Sequence, residues 1–134
     1  MRDAIDAKEP IRQVSVPGTA PPAGHYSAAV HHGGLVYISG QLPVGPGGIH
    51  RPNASLEAQA GQVIDNLFEV LSAAGCTADD LLKVTVYIVG VEHWAAFNAL
   101  YAERLGAARP ARAIVPVPEL HHGYLLEIDA IARG

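Results

Sequence analysis

Positive charge is scarce. Lys and Arg total 9 in 134 residues, they are scattered, and the formal net charge is -4. Such a chain has no basic stripe to neutralise a phosphate backbone, which argues against electrostatic capture of nucleic acid. Cysteine occurs once, at Cys76. That excludes an internal disulfide and a cysteine metal cluster, and it fits a reducing compartment such as the cytoplasm. No window approaches the ~18 uninterrupted apolar residues of a membrane-spanning helix. The opening MRDAIDAKEP is charged and has no apolar stretch, so it does not read as a signal peptide. Charged residues are only 16%, against about 25% in ordinary soluble domains. Hydrophobic residues reach 49%, and the mean hydropathy is +0.18. A globular chain of one domain's length is implied, with some apolar surface expected to be hidden against other subunits.

Turn formers are abundant, with 14 Gly and 10 Pro. Residues 1–10 read as a loose lead-in and 11–16 (IRQVSV) as an edge strand. PGTAPPAG (17–24) is a turn-rich connector. Gly33-Gly34 separates two β-rich runs, YSAAVHH (26–32) and LVYISG (35–40), which is a hairpin signal. Over 55–74 the spacing predicts a helix. Leu56, Ala60, Val63, Leu67, Val70, Leu71 and Ala74 share a face, Ser55 suits the N-cap, and Gly75 is a stop. Gly61 inside it suggests close packing. LLKVTVYIV (81–89) alternates as a strand, with Leu82, Val84, Val86 and Ile88 on one side. A second helix is expected over 91–105, with Trp94, Phe97, Tyr101 and Leu105 facing inward. Strands at 111–117 and 124–132 complete the order β-β-β-α-β-α-β-β. Two helices on one face of a mixed sheet give a two-layer α+β domain. The opposite face, with Val89, Leu125 and Ile131, is too apolar to be fully solvated and points to burial between subunits.

Two charged residues stand out. Glu127 interrupts the apolar run LLEIDAI, where an ionised carboxylate needs a partner or a task. Arg112 opens the preceding strand. If those strands are neighbours, the two side chains can share one face. A guanidinium grips a carboxylate through two parallel hydrogen bonds, and a carboxylate can position or deprotonate water. A structural ion pair is the plain alternative. The seven histidines include the adjacent pairs His31-His32 and His121-His122, but no H-x-x-x-H or H-E-x-x-H occurs. Neighbours on a strand point to opposite faces, so no metal site is expected, and His121-His122 reads as turn surface or pocket rim. Cys76 reads as an inert small residue.

Taken together, LVYISGQLPV (35–44), SLEAQAGQVIDNLFEVLSAAG (55–75), DLLKVTVYIVGVEHWAAFNALYAERL (80–105), PAR (110–112) and EIDAIA (127–132) resemble the RidA family, also called YjgF-like or L-PSP proteins. The resemblance runs from about Tyr26 to Ala132. It implies a chorismate-mutase-like fold and a homotrimer with pockets between subunits. It also implies cofactor-independent hydrolysis of 2-aminoacrylate enamines and 2-imino acids to 2-keto acids and ammonia. By the same resemblance, Arg112 holds the substrate carboxylate and Glu127 positions the water. Asn98, Tyr26, Ser39 and Gly40 line the substrate site, and Ile114 presents its backbone. Many members carry Cys or Thr where Ile114 stands, and the stretch after Arg112 is Ala-Ile-Val-Pro, departures that bear on the substrate. The competing expectations are a dedicated deaminase for a larger enamine or imine acid such as 2-aminomuconate, a ligand-binding or regulatory trimer without turnover, and, against the charge balance, a ribonuclease.

Overall fold

The computed structural model describes residues 7–19 and 21–134. Most of the expected lead-in, residues 1–6, lies outside them; residues 7–10 are exposed and irregular. Six strands form one sheet: β1 (Arg12–Val14), β2 (Ala29–His32), β3 (Leu35–Gln41), β4 (Leu81–Ile88), β5 (Ala111–Pro116) and β6 (Leu126–Arg133). Their order is β1-β2-β3-β6-β4-β5. Every pairing is antiparallel except β4 with β5. The parallel pair is joined through a helix, as parallel neighbours require. Gly33 and Gly34 both take positive φ (61° and 76°), the requirement of the tight β2–β3 turn.

Helix α1 (Leu56–Ala73) starts where expected: the Ser55 hydroxyl accepts the Ala58 N–H, and Glu57 lies in the first turn. It buries Leu56, Ala60, Val63, Ile64, Leu67, Val70 and Leu71 against the sheet. Gln59, on the same face, is the one buried polar side chain in this core. Its Nε2 donates to the carbonyls of Pro52 and Ala54, both at 3.1 Å, and its Oε1 accepts the Leu125 N–H at 2.9 Å. Both its donors and one acceptor position therefore go to two loops. Gly61 does not mark close packing, since an added Cβ would meet nothing within 4 Å. Helix α2 (Trp94–Leu105) follows a 3-10 turn at Val91–His93 and buries Phe97, Tyr101 and Leu105. Trp94, expected inward, is 43% exposed, because it sits at the junction between that turn and the helix.

Both helices cover one face, onto which Val36, Ile38, Val84, Val86, Ile88, Leu126, Ile128, Ala130 and Ala132 project. Leu82 does not join them and is 45% exposed. The β4–β6 register shifts between Leu81 and Lys83, so Leu81 turns inward and its neighbour outward. The open face carries Tyr37, Thr85, Tyr87, Val115, Glu127, Asp129 and Ile131, aligned across the strands by register. Leu125, expected on that face, instead leans on the core from just outside β6.

Candidate functional site

Arg112 and Glu127 are not neighbours. β4 lies between their strands, and the register sets Arg112 beside Val84, on the helix side, but Glu127 beside Tyr87, on the open side. Within one chain the expected shared face does not form, and neither does an ion pair between the two within the sheet. Among the described residues neither side chain belongs to an ion pair.

Arg112 has other company. Its Nη1 donates to Asn98 Oδ1 at 2.9 Å, and its guanidinium carbon lies 4.8 Å from the centroid of the Tyr101 ring. Asn98 and Tyr101 are three apart on α2 and so share a face. Ile114, two residues along β5, is half-buried against the core. The sequence reading counted Tyr101 only as a core residue. The available signal was its helical spacing from Asn98. Burial pushes the Tyr101 phenol up, and the Arg112 charge pulls it back.

Glu127 has a different setting. The β3–β6 register is irregular between Ile38 and Gln41, which leaves Ser39 and Gly40 in a bulge beside it. A Cβ on Gly40 would stand 2.5 Å from Glu127 Oε1, so the carboxylate occupies room that only glycine leaves. The Ser39 hydroxyl donates to the Ser27 carbonyl at 2.6 Å, which ties the bulge to the segment just after Tyr26. Tyr26 itself is 56% exposed. Burial first, and then the Asp129 carboxylate, raise the Glu127 carboxyl above its ordinary range; His121 opposes them. Asp129 is engaged by the Tyr87 hydroxyl, which donates to its Oδ2 at 3.0 Å.

His121 and His122 form a turn before β6, with His122 at φ 62°. Their ring centroids are 3.9 Å apart, and His122 lies 4.1 Å from His50. His50 was not singled out by sequence, since 71 residues separate it from His121 and no local pattern links them. His50 Nδ1 is 2.9 Å from the Tyr124 hydroxyl. Among the described residues no group of three or more His, Cys, Asp or Glu side chains is arranged to hold a metal. Cys76 is buried, its thiol is pushed up by that burial, and it donates to the Arg133 carbonyl at 3.3 Å, as expected of an inert residue. Two shallow surface hollows, of about 570 and 190 Å3, contain none of the candidate residues. The candidates thus fall into two open half-sites: Asn98, Arg112 and Ile114 in one, and Ser39, Gly40 and Glu127 in the other, with Tyr26 nearby in sequence to the second.

The family profile described as endoribonuclease L-PSP matches residues 17–134. The chain belongs to that family. Its motifs and its two-helix, six-strand fold are those of the YjgF/RidA-type members. It is similar to the RutC family protein PH0854 of Pyrococcus horikoshii, at 39% identity over 111 residues, 83% of this chain and 88% of the relative. It also resembles the mitochondrial protein MMF1 of Saccharomyces cerevisiae, at 32% identity over 133 residues, 98% of this chain and 88% of the relative. Among solved structures it matches E. coli TdcF with bound serine, with a TM-score of 0.82 and 31% identity over 92% of this chain and 98% of that one. No helix among the described residues is long and apolar enough to cross a membrane.

Proposed function

We propose that this L-PSP/RidA-type protein is a cofactor-independent deaminase that hydrolyses 2-imino acids, and the 2-aminoacrylate-type enamines that tautomerise to them, to 2-keto acids and ammonia. The observation that carries the reading is the division of labour between the half-sites. A guanidinium is held by uncharged groups, so its charge is free for a ligand. A carboxylate belongs to no ion pair among the described residues and has its proton affinity raised.

In the proposed reaction Arg112 grips the substrate carboxylate through two N–H donors. Glu127 takes a proton from water as the hydroxide oxygen bonds to the imine carbon, and hands that proton to the nitrogen, onto which the C=N electron pair moves. Glu127 then takes the hydroxyl proton of the resulting carbinolamine as C=O forms. It passes this proton to the departing nitrogen, the C–N bond breaks, and ammonia leaves. The balance is one imine and one water to one keto acid and one ammonia. A carboxyl whose proton affinity is raised suits both taking and returning a proton. Imines are already electrophilic, so positioning and one acid/base group suffice.

The two halves lie on opposite faces of one sheet, and β5 is an edge strand. A complete site therefore joins Arg112 of one copy to Glu127 of another. We assign the assembly as a homotrimer, which light scattering will show as three chains. Burial of the face carrying Tyr37, Ile131 and Val115 fits this assembly. The small imino acid comes from the chain's surroundings, no nucleic acid or membrane takes part, and the lone reduced cysteine fits a cytoplasmic location.

A larger imino or enamino acid, of the 2-aminomuconate kind, is the second reading, favoured by the apolar Ile114 and the histidine stack beside Glu127. A binding trimer without turnover takes support from the serine bound to TdcF. The test generates imines with an amino-acid oxidase from different amino acids and times their disappearance. Faster loss of imine with the protein present supports the deaminase, and the substrate profile separates small from large acids. No acceleration for any imine, with keto acids still bound, leaves the binding trimer.

A further inference from the structure

Tyr101 is a core residue that offers its neighbours a ring and not its hydroxyl. It is 93% buried, with 7% of its surface exposed, and its hydroxyl is buried without a hydrogen-bond partner among the described residues. A Phe at this position would fill the same space and strand no polar atom. What the ring touches besides the core is Arg112, whose guanidinium carbon lies over it at 4.8 Å, well inside the ~6 Å range of a cation–π contact. The ring also packs on Phe97, with centroids 5.7 Å apart and Phe97 fully buried. The ring is therefore a fixed platform.

A single hydrogen bond to Asn98 Oδ1 leaves a guanidinium free to swing about that bond. A ring 4.8 Å from its carbon restricts that freedom and consumes no N–H, because a cation–π contact takes no hydrogen-bond donor. Of five N–H donors, Asn98 takes one, and the rest of the edge stays available for a carboxylate.

We propose that Tyr101 is a positioning residue that holds the Arg112 guanidinium in plane for two-pronged carboxylate binding, and that its ring does this while its hydroxyl contributes nothing to affinity. The inference rests on the reading of Arg112 as the carboxylate clamp.

The test measures the dissociation constant for pyruvate, the steady-state parameters for an oxidase-generated imine, and the melting temperature. Tyr101→Phe should bind pyruvate within twofold of wild type and melt no lower. Tyr101→Leu should bind it at least 10-fold more weakly and raise KM by a similar factor, with kcat changed by less than threefold. Trifluorophenylalanine at 101 guards against misfolding of the Leu variant. It keeps the ring's shape while draining its electron-rich face, so pyruvate binding should weaken relative to Phe at an unchanged melting temperature. A folded Leu variant with wild-type pyruvate affinity, or equal affinity in the Phe and trifluorophenylalanine proteins, overturns the proposal. Arg112→Ala separates the two layers of the argument. If it binds pyruvate like wild type, the clamp reading itself is wrong; if it loses binding while the position-101 variants do not, only the role of Tyr101 fails.

Discussion

The two half-sites solve opposite problems. Around Arg112 the neighbours are neutral, an amide and an aromatic ring, both carried by α2, and the cation keeps its charge whatever they do. Around Glu127 the neighbours act on the charge itself: burial and Asp129 favour the protonated form, and a bulge in β3 makes the space. In the proposed reaction the group that only holds is the one fixed by geometry, and the group that gives and takes a proton is the one adjusted by electrostatics.

The sharpest way to break the comparison is Glu127→Gln. Turnover should fall roughly 10²–10⁴-fold, the range for a positioned acid/base, while pyruvate binding survives on Arg112. The wild-type rate should show an acid limb above the ordinary carboxylate value of 4.5, and the Gln variant should lack it. Stability should move the other way. The folded carboxyl holds its proton to higher pH than the unfolded one, so folding is favoured below that window and loses the advantage as pH rises through it. At pH 7 the Gln variant should therefore melt no lower than wild type. A large drop in melting temperature would mean that the charge has a structural partner.

Arg112→Ala should weaken pyruvate binding by about 10–150-fold, the equivalent of a hydrogen-bonded charged group at ~1.5–3 kcal/mol. Arg112→Lys should not restore it, since an ammonium supplies charge without the fork. Full recovery by Lys would show that charge alone suffices. Gly40→Ala should act more gently on Glu127. The new methyl meets the far end of a flexible side chain, so the fold tolerates it, but the displaced carboxylate should slow turnover by roughly 10–100-fold. Equal rates for the Ala variant and wild type would place the reacting water elsewhere. The smallest expected effect is none: prolonged chelation should leave activity intact. Loss of activity restored by one metal would give the stacked histidines a role that neither half-site now assigns to them.

The order of elements, the Gly33-Gly34 hairpin and the cap of α1 were legible because each rests on local rules of period and turn chemistry. Leu82 and Trp94 went astray where a bulge and a 3-10 turn each shift the phase that periodicity assumes. Arg112 and Glu127 were legible as unusual residues, but their placement was not. Which strand enters between two others is a long-range outcome, and here β4 separates strands that are consecutive in the chain. His50 was invisible as a site neighbour for the same reason, since it meets His122 across 72 residues, and Tyr101 showed only its helical spacing from Asn98, its contact with Arg112 lying across the α2–β5 connection.

Gln59 has a consequence for how the molecule opens. Its one side chain fastens the stretch just after His50 to the stretch just before Glu127, and the Tyr124 hydroxyl doubles the clasp through His50 and the Arg51 N–H. The Leu125 amide lies outside β6, yet its proton is locked by a helix. In hydrogen–deuterium exchange it should persist with the slow protons of the sheet rather than with those of surface turns. The rim beside Glu127 would then come undone only when α1 itself lets go.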